Sequence, residues 1–413
     1  MKSISRAEMG WLLAAQAVSI CGTRMSMVAL PWFVLVTTGS PLRTGLVGFA
    51  EMLPYVVVSV LAAPVTDRLG ARRTSIVCDI GSLLAVGAIP LLHETGGLSF
   101  PALLVLAMLA GAMRGPGDNA KHVLLPAAAE RAGMALERAS GLYDGVNRAA
   151  GLVGAPLAGV LIGVVGAANA LLVDAGTFLV AAVLVTVGIL ARARVPDDED
   201  DTPYRVRVAA GLRFLRDDRL LLAIALMLFL TNFLDQAFTG VLLPVWSRDH
   251  DHGALGVGIV QGGFGVGATV GALLMAVVGV RLPRRATFLA CFLLCGSPRF
   301  VAMGLGAPLW VVVLLIGLGG LAAGGLNPIL AAVELERIPA GKRARVLAAM
   351  TAIGYGGIPL GGLLGGVLIT SFGLATALFA CGAAYFAATL APLGRTWRGM
   401  DRRRPAAVQP TAP

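Results

Sequence analysis

The chain has 413 residues, 57% of them hydrophobic and 14% charged, with 33 Lys and Arg against 23 Asp and Glu. That composition excludes an ordinary soluble domain. The basic surplus sits in short loops between apolar runs, which excludes reading the net charge of +10 as a nucleic-acid surface.

A helix of roughly 20 apolar residues matches the ~30 Å hydrocarbon core of a bilayer. Twelve such stretches follow one another, at about 10–37, 44–65, 75–93, 100–120, 140–165, 168–191, 219–246, 255–280, 286–305, 307–333, 345–371 and 373–393. With the N-terminus inside, nearly all Lys and Arg fall in the cytoplasmic loops and tail. Only Arg43 and Arg248 fall outside, and Arg24, Arg114, Arg148 and Arg299 lie within spans. Lys121 is placed in a cytoplasmic loop. Such asymmetry is what the positive-inside rule demands, and it puts both termini in the cytoplasm of a cell's inner or plasma membrane. Lys2 and Arg6 precede an apolar run without a signal-peptidase pattern.

Between spans six and seven lies a hydrophilic segment, 192–218. It opens on Asp197, Asp198, Glu199, Asp200 and Asp201 and continues as a basic stretch of helical periodicity expected to lie on the membrane surface. The organisation is therefore an N-terminal six-helix bundle at 1–191, a linker at 192–218, a C-terminal bundle at 219–394 and a basic tail at 395–413.

The halves echo each other. Gly151-Leu-Val-Gly-Ala-Pro156-Leu-Ala-Gly159 in span five corresponds to Gly354-Tyr-Gly-Gly-Ile-Pro359-Leu-Gly-Gly362 in span eleven. Glycine reaches 54 residues and recurs at four-residue spacing, including Gly263, Gly267 and Gly271 on span eight. Small residues let helices approach closely in lipid. Duplicated six-span sets point to a secondary transporter whose site lies near the bilayer midplane.

Other chemistries lack support. Gln261-Gly-Gly-Phe-Gly-Val-Gly-Ala lies inside an apolar span with no preceding strand, so it is not a dinucleotide loop. No G-x-x-x-x-G-K-[ST] loop for ATP exists. Four histidines, with no nucleophile–base spacing, argue against an enzyme. Asp249-His250-Asp251-His252 reads as a solvated external loop; no metal or cofactor is expected. The five cysteines fall inside spans and are expected to be small packing residues.

The segment Ala63-Pro-Val-Thr-Asp67-Arg68-Leu-Gly70-Ala-Arg72-Arg73 resembles the loop between spans two and three of the major facilitator superfamily, G-x-x-x-D-R-x-G-R-R/K. Ala63 and Ala71 depart from that pattern. The resemblance covers nearly the whole chain and implies an all-α fold of twelve transmembrane helices in two pseudo-symmetric six-helix bundles. It makes Asp67, Arg68, Gly70, Arg72 and Arg73 a conformational latch, with Asp67 approaching the start of span eleven near Arg345 and Val346. Gly151, Ala155, Pro156 and Gly159 resemble the family's span-five antiporter motif, G-x-x-x-G-P-x-x-G-G, with two glycines replaced. Ala29-Leu-Pro31-Trp-Phe-Val-Leu-Val-Thr-Thr-Gly39-Ser-Pro41 resembles the bacterial branch of macrolide and siderophore exporters. The implied activity is export of a hydrophobic or amphiphilic small molecule by proton antiport, with nutrient uptake as the alternative. The implied partners are the substrate, protons and the lipid bilayer; no nucleic acid is expected, and the protein is expected to be monomeric.

Ionisable groups at membrane depth are functional candidates by default. At 1.5 Å per residue, Asp235 lies about 24 Å along span seven, Arg24 about 21 Å along span one, and Glu51 and Asp174 about 9–11 Å into spans two and six. Asp118, Asp79, Asp144, Arg114 and Arg148 lie nearer the inner face, and each acid is expected to have a basic neighbour. The proton-coupling candidates are Asp235 first, then Glu51, Asp174 and Asp118, since desolvation favours the neutral form of a carboxyl. Gln16, Ser19 and Thr23 form a polar stripe on span one, and Asn232, Gln236 and Thr239 one beside Asp235 on span seven; the resemblance places spans one, four, seven and ten around a central cavity, which implies that both stripes line it. Arg24 projects about 100° from Thr23.

Overall fold

The computed structural model describes residues 2–61, 66, 68–189, 204–279 and 282–401. All regular structure among them is helical, and eleven of the helices are long and apolar enough to cross a membrane. The expected second span is the helix Pro41–Leu61, which carries Arg43 and Glu51 and ends where the described residues stop. Asp67 and the acidic run Asp197–Asp201 lie outside the described residues.

Spans one to six are the helices Lys2–Thr38, Pro41–Leu61, Ala71–Glu94, Phe100–Arg131, Leu136–Val165 and Ala167–Gly188. Span four runs well past its expected end at 120. Its apolar run stops at Lys121, but the helix continues because that lysine is buried among neighbours. A single residue, Gly166, joins spans five and six at φ 86°, and Gly373 joins spans eleven and twelve at φ 82°. A turn this tight needs the left-handed conformation that only glycine adopts cheaply. The joint recurs at the equivalent place in each half, so the duplication extends to connection geometry.

The later spans are more broken. Span seven runs Arg219–Ala237, passes through a π-helical turn Phe238–Leu242 and continues as Leu243–Asp249. Span eight is Gly253–Val278. Span nine breaks at Gly296 into Arg284–Cys295 and Ser297–Gly304, span ten is Leu309–Arg337, and span eleven breaks at Gly357 into Arg343–Gly356 and Ile358–Phe372. Span twelve is Leu374–Thr389.

The chain groups into two compact units that do not follow its sequence halves. Unit one holds Met1–Asp197, Asp235–Gly262 and Ile358–Ala377. Within it, spans one to six pack through small residues. A β-carbon at Gly154 would lie 2.8 Å from the carbonyl oxygen of Cys21, and Gly111 presses on the backbone of Glu51. The ends of spans expected to face outside also meet here. A β-carbon at Gly159 would lie 2.9 Å from the Ala254 carbonyl oxygen, and one at Gly366 would lie 2.7 Å from that of Pro41. Leu35, Val241 and Val245 form an apolar knot with Ile369 and Leu374 beside these contacts.

Unit two holds Asp198–Leu234, Gly263–Gly357 and Leu378–Pro413. Gly267 and Gly271 pack against the backbone of Gly317 and Leu321 in span ten, and Gly324 returns the contact to Ala268. The Gly263–Gly267–Gly271 stripe thus joins spans eight and ten. Span five is met instead by Gly258 and Gly262, one to two turns earlier. The linker helix Tyr204–Asp217 packs through Gly211 on the backbone of Arg345, the first turn of span eleven. The surface helix expected from its periodicity is therefore held by protein contact. The start of the tail is folded too: Trp397 is buried, with its ring 5.6 Å from that of Phe288, and Asp401 accepts from the Arg285 backbone N–H at 3.0 Å.

Candidate functional site

Unit one concentrates buried charge. Glu51 on span two and Arg114 on span four form an ion pair of 2.5 Å, with side chains 3% and 2% exposed. Gly111 and Gly115 bring the two helices close enough for this pair, since β-carbons there would overlap span two. The Arg114 guanidinium also lies 5.8 Å from the centre of the Phe178 ring on span six. Its Nε and Nη2 have no hydrogen-bond partner among the described residues.

A second pair lies lower. Lys121 Nζ donates to Asp79 Oδ1 at 2.7 Å and to Ser19 Oγ at 2.9 Å, tying together spans four, three and one. Lys121 is completely buried. This corrects its placement in a cytoplasmic loop. Asp79 is about 12 Å from the start of span three and Lys121 about 15 Å from the end of span four, so the depths match. A lysine closing an apolar run one turn below Asp118 was the available signal. The charge asymmetry between the two faces survives this reassignment.

Asp174 differs from both pairs. It is fully buried on span six, and Ser26 Oγ of span one donates to its Oδ2. Its Oδ1 has no hydrogen-bond partner, and it forms no ion pair among the described residues. Its basic neighbour is Arg114, which lies within electrostatic range but is ion-paired to Glu51 instead. Gly22 makes the approach possible, because a β-carbon there would collide with Thr177 and Asp174.

The span-one stripe is buried: Gln16, Ser19 and Thr23 lie inside the bundle, where Gln16 Nε2 donates to Asn147 Oδ1 at 2.8 Å. Arg24, 100° round the helix, is exposed instead. Asp118 is half-buried within electrostatic range of Lys121, Arg114 and Arg24.

On span seven, Asp235 and Gln236 are half-buried, and Thr239 Oγ1 donates to the Asp235 carbonyl oxygen at 2.9 Å. The π-helical turn begins three residues beyond Asp235 and shifts the register there; such turns concentrate at functional sites. In unit two, Asn232 Nδ2 donates to the Gly354 carbonyl oxygen at 3.0 Å, holding span seven to the first segment of span eleven.

The span-five motif makes helix contact. Ala155 and Gly159 meet Gly258, and Pro156 meets Gly262, while Gly151 lies beneath the Arg24 side chain. Of the latch residues described, Gly70 precedes span three at φ 82°, and Arg72 Nη2 donates to the Thr186 carbonyl oxygen at 2.7 Å. Arg68 and Arg73 are exposed. The external His250 and His252 rings flank the buried Trp246 at 4.9 and 5.1 Å, so that loop is anchored by aromatic packing.

Residues 3–410 match a family described as "Transmembrane secretion effector". The chain is similar to the multidrug efflux pump Tap of Mycobacterium tuberculosis, 32% identical over 91% of this chain and 90% of that protein. A staphyloferrin A transporter of Staphylococcus aureus is 21% identical over 54% of this chain and 55% of its own length. The crystal structure of the nucleoside transporter NupG shares the fold, with a TM-score of 0.77 at 15% identity, over 94% of this chain and 98% of that one. Motif residues, fold and relatives agree: the chain belongs to the major facilitator superfamily and is a multi-pass membrane transporter of small molecules.

Proposed function

We propose that this protein exports a hydrophobic or amphiphilic small molecule by proton antiport, through alternating access between two six-helix bundles. In this reading it works as a monomer in the bacterial inner or plasma membrane, with both termini cytoplasmic. The Mycobacterium relative, a multidrug efflux pump, supports the direction and the substrate style.

Buried Asp174 is the observation that carries the proton step. A carboxyl in a dry site with no ion-pair partner, its nearest cation Arg114 being held by Glu51, costs less neutral than charged. Glu51 and Asp79 have their own cations at ion-pair distance. Asp174 can therefore hold a proton in this state and release it when rearrangement of spans one and six admits water. Asp235, next to the π-helical turn, is the second candidate. Contacts of spans two with eleven and five with eight, all at the outer ends, support a state sealed on that side.

Inverted membrane vesicles with an imposed pH gradient test the proposal. Parent protein accumulates lipophilic dyes or antibiotics, and Asp174→Asn retains their binding while losing gradient-driven accumulation. Full accumulation by Asp174→Asn at normal expression overturns the proton assignment. Gradient-driven uptake into right-side-out vesicles would favour a nutrient carrier instead.

A further inference from the structure

Two arginines at membrane depth form no ion pair among the described residues. They are Arg24 on span one and Arg148 on span five, both exposed. The Arg24 guanidinium contacts a sulfur, Met27 Sδ, at 3.8 Å. By contrast, Arg114 and Lys121 nearby each hold a carboxylate within 2.7 Å.

The two arginines lie on one surface. Gly154 lets Arg24 settle against span five, where the β-carbon position of Gly151 is 3.6 Å from Arg24 Nε. Gly151 is three residues beyond Arg148, and β-carbons at that spacing are about 5–6 Å apart on one helix face. Arg24 Nε thus lies beside the turn of span five that Arg148 begins, while its Nη1 faces Met27 Sδ. Gly151 is about 22 Å along that span and Arg148 about 18 Å. The same face continues through Gly145, Asp144 and Gly141, all exposed. A guanidinium facing lipid at this depth is costly, so this polar face borders water.

The acids in the vicinity, Asp144 and Asp118, belong to the same polar surface and make no ion pair with either arginine among the described residues. Two neighbouring guanidinium groups repel each other, and each carries a donor fork matched to a planar or tetrahedral oxyanion. We propose that Arg24 and Arg148 bind an oxyanion of the exported molecule, a carboxylate or a phosphate group. The preferred cargo is then an anionic or zwitterionic amphiphile, with Asp144 and Asp118 available to a cationic group on the same molecule. This assignment rests on the export reading for its direction.

The test uses full-length protein in nanodiscs for binding and in proteoliposomes for transport. Four matched probes share a dansylamino-undecyl body and end in a carboxylate, its methyl ester, a phosphate monoester or a trimethylammonium group. Parent protein should bind the carboxylate or the phosphate at least tenfold more tightly than the ester, and the two arms tell the anions apart. Arg24→Gln and Arg148→Gln should each erase that preference while leaving ester affinity within threefold. Arg24→Lys, which keeps charge and fold, should retain part of it. The assignment is overturned by an unchanged acid-to-ester ratio in both glutamine variants, or by a parent that binds no anionic probe more tightly than the ester. Selective binding without outward transport would keep the anion site and reject the export reading.

Discussion

Neutralising Glu51 separates a structural ion pair from a working proton site. Glu51→Gln leaves the Arg114 charge in a place where its side chain is 2% exposed and its Nε and Nη2 already lack partners. Removing one member of a buried pair costs about 3–5 kcal/mol, because the survivor stays desolvated and uncompensated. Asp174 lies in the electrostatic range of Arg114, and the Phe178 ring faces the guanidinium, so the cost should fall near 3 kcal/mol. That is roughly a hundredfold in the folding equilibrium. Arg114→Gln should cost as much, leaving Glu51 alone. The double variant places two neutral amides against each other and should be more stable than the sum of the singles by about 2–3 kcal/mol. Unfolding by SDS titration in mixed micelles, followed by tryptophan fluorescence, reads all four corners of the cycle. Accumulation in vesicles by the double variant should track its folded fraction. Single effects that add within about 0.5 kcal/mol would refute the argument that the pair is held in a dry site.

The lower pair should behave alike: Lys121→Met should reduce the yield of folded protein, and adding Asp79→Asn should restore part of it, measured by size-exclusion profile. No recovery would deny the coupling of the two residues. At the outer end, Gly366→Leu places a side chain where a β-carbon is already 2.7 Å from the Pro41 carbonyl oxygen. It should insert normally and raise the reactivity of cysteines introduced along spans two and eleven toward an external reagent, in a background lacking the native cysteines. Equal reactivity in variant and parent would show that this contact does not seal the outer end.

The fold was legible because lipid imposes a coarse code. Apolar length and loop charge placed most helix ends within a few residues; span one starts eight residues early, at Lys2, and span four runs past Lys121, which is paired internally. Pairing hides such a residue from any rule that treats charge as a boundary. The site was legible in part. Glu51, Asp174 and Arg114 could be picked out as intramembrane candidates by counting residues, but their partners could not, because a 100° rotation decides whether Thr23 or Arg24 faces the bundle interior. That rotation is fixed by glycine contacts at Gly22 and Gly154, whose partners lie more than a hundred residues away. The π-helical turn after Asp235 left no periodic trace, since one added residue barely disturbs an all-apolar pattern.

Spans seven, eight and eleven each cross from one compact unit to the other part-way along, between Leu234 and Asp235, Gly262 and Gly263, and Gly357 and Ile358. The crossing points coincide with the approach to the π-helical turn, a double glycine and a broken helix. For spectroscopy this means that sequence proximity is a poor guide to which body a probe reports on. Spin labels at Ile259 and Val266 sit two turns apart on one helix yet belong to different bodies. Reference labels for distance measurements should therefore be assigned by unit, and a pair placed across Gly262 serves as an internal ruler for bending of span eight itself.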